Sequence, residues 1–430
     1  MKCVLYFILP LFIALYSQAD TLYLRLPEYI YTTTTSQYSV YYNNIILTQY
    51  PEKYSFVVNC PVGYNDGNKY NLDSLNSGIY NFNLEVYDSV GTFLETDASQ
   101  LIVTENSINY NDTLKILFVG NSLTYGGRYA RYVKEFLDEY SILPVKLLGT
   151  SFYTEQDSID GIFHQGVSGY KWANFTLNIE SPFVYSEYPG VDVERYIEEE
   201  LDGETPDIVT IFLGINDILY LPHESDIDSI DANLDYIFID RCMGLLIDKF
   251  EEALPNTPPG IGLIPVANER TDVWYTIYGD SLRGWTHRQY QHRLVQRYID
   301  HYNDLAKPNF SMIPIYPNID TFSGYPETNA VHPNLDGYAQ IANTFYGWIK
   351  YQISQWLIAP ENLTINTNEN SISLNWDSSP GISLYNIYRS LDPYSNFQFI
   401  GSTVDVNFTD HTISGSSKYF YRVTSDNSMK

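Results

Sequence analysis

Lys115-Ile116-Leu117-Phe118-Val119-Gly120-Asn121-Ser122-Leu123-Thr124 holds the change of pattern that decides the fold. Residues 115–119 are almost continuously apolar, as in a strand buried on both faces. Gly120-Asn121-Ser122 is turn chemistry, and residues 128–140 then read as an amphipathic helix. The same alternation runs on from there. Strands are expected at 145–148, 207–213, 260–266 and 310–316, and helices at 233–254, 289–305 and 337–357. Apolar strands alternating with amphipathic helices predict a parallel sheet covered on both faces.

Five such strands suit a flavodoxin-like, doubly wound three-layer α/β/α domain over residues 113–357, in which ligands bind beyond the carboxyl ends of the strands. The flanks follow another period. In residues 20–106, Tyr80, Phe82, Leu84 and Val86 alternate with Asn81, Asn83, Glu85 and Tyr87, the pattern of a half-buried strand. Tyr38-Ser39-Val40-Tyr41-Tyr42 and Tyr54-Ser55-Phe56-Val57-Val58 are further strand candidates. This region resembles a small all-β, immunoglobulin-like sandwich, closed by a polar linker at 106–112. Residues 360–430 resemble a fibronectin type III module. The resemblance rests on Pro360-Glu361-Asn362-Leu363, Leu374-Asn375-Trp376, Tyr385-Asn386-Ile387-Tyr388-Arg389 and Tyr419-Phe420-Tyr421-Arg422-Val423, with Trp376 as core tryptophan. Few residues follow Ser425, so the module is expected to lack its last strand and to leave the edge of 418–424 unpaired unless another segment covers it.

The 430 residues allow two or three domains. Asp and Glu outnumber Lys and Arg by 52 to 24, a formal charge of -28. That field repels phosphate backbones and anionic headgroups and argues against nucleic-acid or membrane-surface partners. Lys2, the apolar run 3–16 and Ser17-Gln18-Ala19 read as a signal peptide, residues 1–19, cleaved after Ala19. The run is shorter than the ~20 residues that span a bilayer. A secreted location, extracellular or periplasmic, is therefore expected, with no membrane anchor after cleavage. Cys3 leaves with the signal, and Cys60 and Cys242 are expected as two buried free thiols rather than a pair. The histidines show no metal-ligand spacing: His287 and His292 are not at the i, i+4 separation that places two ligands on one helical face.

Four segments that could carry chemistry each follow a predicted strand or precede the last helix. Ser122 lies at a strand–helix turn, where a serine is often only an N-cap. Gly166-Val167-Ser168-Gly169-Tyr170 offers an unobstructed backbone N–H at Gly169, with Gly166 as the less favoured choice. Gly214-Ile215-Asn216-Asp217 places a side-chain amide at a strand end, where it could hold an oxyanion. Asn329-Ala330-Val331-His332-Pro333-Asn334 presents an imidazole on a loop stiffened by Pro333. Serine, glycine, asparagine and histidine in this order, with Ile116-Leu117-Phe118-Val119, Pro206-Asp207-Ile208-Val209 and Gly337-Tyr338 around them, resemble the four signature blocks of the SGNH (GDSL-like) hydrolase family. The resemblance covers residues 113–356. It implies Ser122 as nucleophile, His332 as general base, and an oxyanion hole from the N–H groups of Ser122 and Gly169 with the Asn216 side chain. It implies no metal or organic cofactor. The family's acid lies three residues before the histidine, and here that position is Asn329. An asparagine can still accept from the imidazole and hold its tautomer. Glu327 and Asp320 are carboxylates close enough in sequence to substitute.

The expected activity is a secreted serine ester hydrolase acting on an acetylated carbohydrate. A lipase or phospholipase would call for an aliphatic lid or groove, which the polar and aromatic loop 155–187 does not supply. A non-catalytic surface-binding protein on the same scaffold has only Asn329 in its favour.

Overall fold

β1 (Leu114–Gly120) is the strand about which the middle domain is built. In the computed structural model it pairs in parallel with β2 (Val145–Leu148) on one side and β3 (Ile208–Phe212) on the other. β4 (Gly260–Leu263) and β5 (Ser311–Pro314) extend the sheet beyond β3. The order β2-β1-β3-β4-β5 is the flavodoxin-like one, and it reverses at β1. A crevice at that reversal lies at the carboxyl ends of β1 and β3, and the segments of Ser122 and His332 meet in a cleft that Ser168 also lines. β3 and β4 are buried at every position, which explains their lack of polar alternation. The structure describes residues 22–106, 113–140, 144–185, 188–237, 239–257, 259–304, 311–358, 360–368, 370–378, 384–393, 397–413 and 418–426. The expected signal peptide, and the linker apart from Asn106, lie outside the described residues.

Helices Arg128–Tyr140 and Leu335–Trp356 pack against each other, as do Arg283–Asp304 and Ile227–Tyr236. The helix expected at 233–254 is two helices, Ile227–Tyr236 and Ile239–Ala253. Its true start is Asp226, whose side chain caps the first turn by accepting the Ser229 N–H. The helix expected at 289–305 begins earlier, at Arg283. Among the described residues no helix is long and apolar enough to cross a membrane.

The amino-terminal β region forms a four-stranded sheet, ordered Tyr29–Thr33, Phe93–Thr104, Gly78–Asp88, Tyr54–Asn59, and a three-stranded one. It shares one continuous apolar core with the α/β domain, from Leu26 to Ile353. At the seam the Tyr38 hydroxyl donates to Pro314 O at 3.1 Å, and Asn44 Nδ2 donates to Tyr316 O and Ile319 O at 2.9 and 2.7 Å. A Cβ on Gly347 would lie 2.6 Å from Tyr31 O, so the last helix meets the β region backbone to backbone. Cys60 and Cys242 are free, the first half-buried and the second buried, so burial is complete at only one of the two thiols.

The carboxy-terminal module has its own core of Ile372, Leu374, Trp376, Tyr385, Ile387 and Val423. Its three-stranded sheet is Thr364–Asn368, Ser371–Asn375, Asn407–Asp410. In the other sheet the expected open edge is covered. Leu357–Ile358, leaving the last helix of the α/β domain, pairs antiparallel with Phe420–Asp426. The edge of Phe420–Asp426 is thus covered from before Pro360, because the chain enters the module alongside that strand.

Candidate active site

Ser122 begins the short helix Ser122–Tyr125 directly after β1. The capping role a serine often fills at such a junction belongs to Asn121, whose Oδ1 accepts the Leu123 N–H at 3.1 Å. Gly120 lets the turn form, since a Cβ there would lie 2.9 Å from Phe212 O on β3. The Ser122 hydroxyl is left for another partner, and His332 Nε2 lies 2.8 Å from it.

His332 sits two residues after Ala330 on the loop before helix Leu335–Trp356. That loop's exit is fixed by Asn334, which accepts the Gly337 N–H at 3.1 Å. His332 Nδ1 lies 3.1 Å from Asn329 Oδ1. The same Oδ1 accepts the backbone N–H groups of Val331 and His332 at 3.1 and 2.9 Å. Two N–H donors identify that atom as the amide oxygen, so Nδ1 carries the ring proton and donates it. Nε2 is then an unprotonated acceptor facing Ser122. Burial pushes the imidazole below its ordinary pKa, and the nearby Arg128 guanidinium lowers it further. Asp320 is occupied elsewhere, accepting the Phe322 and Ser323 N–H groups at 2.9 and 2.7 Å. Both ring nitrogens are engaged without Asp320 or Glu327.

Gly166 extends the sheet beside Gly120, and a Cβ there would strike the Tyr125 backbone. Gly169 differs: its φ of +79° is one that favours glycine, and the space about its missing Cβ is open. Ser168, beside it, lines the same cleft as Ser122 and His332. Asn216, in the short helix Ile215–Ile218 after β3, donates from Nδ2 to Tyr170 O at 3.0 Å. That bond ties the Asn216 segment to the Gly169 segment, although neither Gly169 nor Asn216 is among the residues that line the cleft holding Ser122 and His332. Next to Asn216, burial pushes the Asp217 carboxyl up to about 7.

The cleft, of about 440 Å³, is walled by Tyr125, Tyr153, Tyr338, Arg128, Thr328, Pro326 and Pro333, with no Val, Leu, Ile or Met side chain among its described residues. Tyr125 and Tyr153 are 39% and 52% exposed and meet edge to face at 5.7 Å. Arg128, Tyr125 and Tyr153 escaped sequence reading. Tyr125 lies one helical turn from Ser122 and could have been found by that spacing, whereas Arg128 and Tyr153 carry no such signal. Among the described residues no group of three or more His, Cys, Asp or Glu side chains could hold a metal ion.

Residues 118–340 match the model of the GDSL-like Lipase/Acylhydrolase family. No curated protein matches the chain. Among solved structures, the chain is similar to a family 3 carbohydrate esterase from Clostridium thermocellum (18% identity, 56% of this chain and 98% of that one, TM-score 0.38). It is also similar to a carbohydrate esterase family 3 protein from Talaromyces cellulolyticus (14%, 56% and 99%, TM-score 0.36). A Fn3-like protein from Clostridium thermocellum is similar over 16% of this chain and 74% of its own (27% identity, TM-score 0.15).

Proposed function

The chain belongs to the GDSL-like lipase/acylhydrolase family, and within it we propose a secreted serine esterase that removes O-acetyl groups from a carbohydrate. Ser122 is the nucleophile, His332 the general base and Asn329 the residue that orients it. Ser122 Oγ attacks the acyl carbonyl as its proton passes to His332 Nε2. The oxyanion is held by the N–H groups of Ser122 and Gly169 and by Asn216 Nδ2. The tetrahedral species collapses, His332 returns the proton to the leaving alcohol, and water repeats the sequence on the acyl-enzyme.

The observation that carries this reading is the run from Ser122 Oγ through the imidazole to Asn329 Oδ1 on the wall of an open, aromatic and polar cleft. Exposed tyrosine faces suit the C–H faces of sugar rings, and a cleft whose described residues include no Val, Leu, Ile or Met suits a short acyl group. The signal-peptide pattern of residues 1–19 supports secretion.

Rates on p-nitrophenyl acetate and p-nitrophenyl laurate, with acetate release from acetylated xylan, test the substrate class. The acetyl ester is expected to give the higher kcat/KM, with acetate released from the polymer. A preference for laurate, with no acetate released, would instead assign a lipase-type activity.

A further inference from the structure

The loop that carries Asn329 and His332 is held by a side chain the reaction does not touch. Asn268 lies a few residues beyond β4, at the carboxyl edge of the sheet, and is 3% exposed. Its Nδ2 donates to Asn329 O at 2.9 Å and to Pro326 O at 3.0 Å, and its backbone N–H donates to Ala330 O at 2.9 Å. Its Oδ1 accepts the Arg270 N–H at 3.1 Å, and its carbonyl accepts Trp274 Nε1 at 2.7 Å. Every donor of Asn268 is therefore spent on residues 326–330, and its acceptors anchor it to the helix that follows. The next residues continue the attachment: Glu269 Oε2 accepts the Thr321 hydroxyl at 2.5 Å, and Arg270 Nη1 donates to Phe322 O at 2.6 Å.

We propose that Asn268 is a positioning residue for ester hydrolysis, fixing the backbone from which Asn329 holds His332 Nδ1. The proposal rests on the Ser122–His332 reading above. Its physical basis is the neutral acceptor. A carboxylate would draw the imidazole into place by charge as well as by a hydrogen bond, and such bonds are roughly twice as strong as neutral ones. With Asn329 that pull is absent, so orientation depends on where the loop is held. Within the loop, Asn329 Oδ1 is fixed to its own backbone by the Val331 and His332 N–H groups. Asn268 then fixes that backbone to the sheet edge.

Asn268→Leu keeps the approximate shape and removes both amide donors, while Asn268→Ala removes shape and donors together. In both, kcat is expected to fall by about 10- to 100-fold, the scale on which a misplaced catalytic group acts, with KM changed little. Labelling of Ser122 by a fluorophosphonate should slow in parallel. The acid limb of kcat/KM should move up towards about 6.5, because a loosened ring is better solvated. A folded Leu variant with wild-type kcat and an unmoved limb would overturn the proposal, as would loss in the Ala variant alone, which would make the role one of packing. Hydrogen exchange on the wild-type protein gives an answer even if neither variant folds. The Val331 and His332 amides should exchange as slowly as those of β4, and rapid exchange there would overturn the proposal. Full turnover by Ser122→Ala would remove the underlying reading. Inactive Ser122→Ala beside a fully active Asn268→Leu would remove this inference alone.

Discussion

Asn329 stands where a carboxylate would favour the charged imidazole, and its neutrality has a measurable consequence. The base must be unprotonated, so activity falls as pH drops through the His332 pKa. Burial and Arg128 hold that pKa below its ordinary value. The acid limb of kcat/KM is expected below about 6.5. Asn329→Asp adds a negative charge beside Nδ1, favours the imidazolium and should move the limb upward. A pH profile of wild type and variant checks this, and an unmoved limb would contradict the assignment of Asn329. Ser122, Gly169, Asn216, Asn329 and His332 were legible as candidates because four segments in order resemble the signature blocks of the SGNH family. The capping by Asn121, which frees the Ser122 hydroxyl, was not, because Ser and Asn are interchangeable as caps in sequence terms. Asn268 was equally hidden. Only the fold brings the end of β4 beside a loop some sixty residues later.

The helix Arg283–Asp304 carries a different signal. His287 and His292 are both buried on it, and burial pushes each down to about 3. Their folded pKa lies below the unfolded value of about 6.5, so the unfolded chain binds more protons between pH 3 and 6.5. The stability they contribute is full above that window and is lost as pH falls through it, by up to about 1.4 kcal/mol per group for each pH unit. Asp217, held up near 7, acts in the opposite sense over much of the same range, while His164, pushed down to about 4 by burial, acts in the same sense as the two helix histidines. Urea unfolding at pH 7.5, 6.0 and 5.0 should show the midpoint falling, before most surface carboxylates titrate. A midpoint that stays level or rises would mean these rings are not buried and neutral. The five strands were legible because buried parallel strands are mostly apolar, with few polar residues such as Lys115, Lys146, Thr210 and Ser311 among them. The break near residue 237 was not, because apolar spacing continues across it and the cap that starts the first helix, Asp226, lies upstream of the run.

At the scale of the whole molecule, the two flanking β regions relate differently to the α/β domain. The amino-terminal region shares its core, whereas the carboxy-terminal module has a separate one and none of its described residues lines the cleft. Ending the chain at Ile358 should leave kcat/KM on p-nitrophenyl acetate unchanged, while beginning it at Thr113 should expose a large apolar surface and yield insoluble protein. Soluble, active protein from the second truncation would contradict the shared core. Alternation marked the amino-terminal region as β and resemblance to a fibronectin type III module the carboxy-terminal one, but neither reports which neighbour buries a face. The central claim remains the nucleophile, and turnover of p-nitrophenyl acetate by Ser122→Ala, with folding checked by circular dichroism, tests it most directly. Ser122 is half-buried and its only side-chain hydrogen bond among the described residues is to His332, so the variant should fold as wild type and lose hydrolysis almost completely. A folded Ser122→Ala protein that hydrolyses the ester at the wild-type rate would contradict the account.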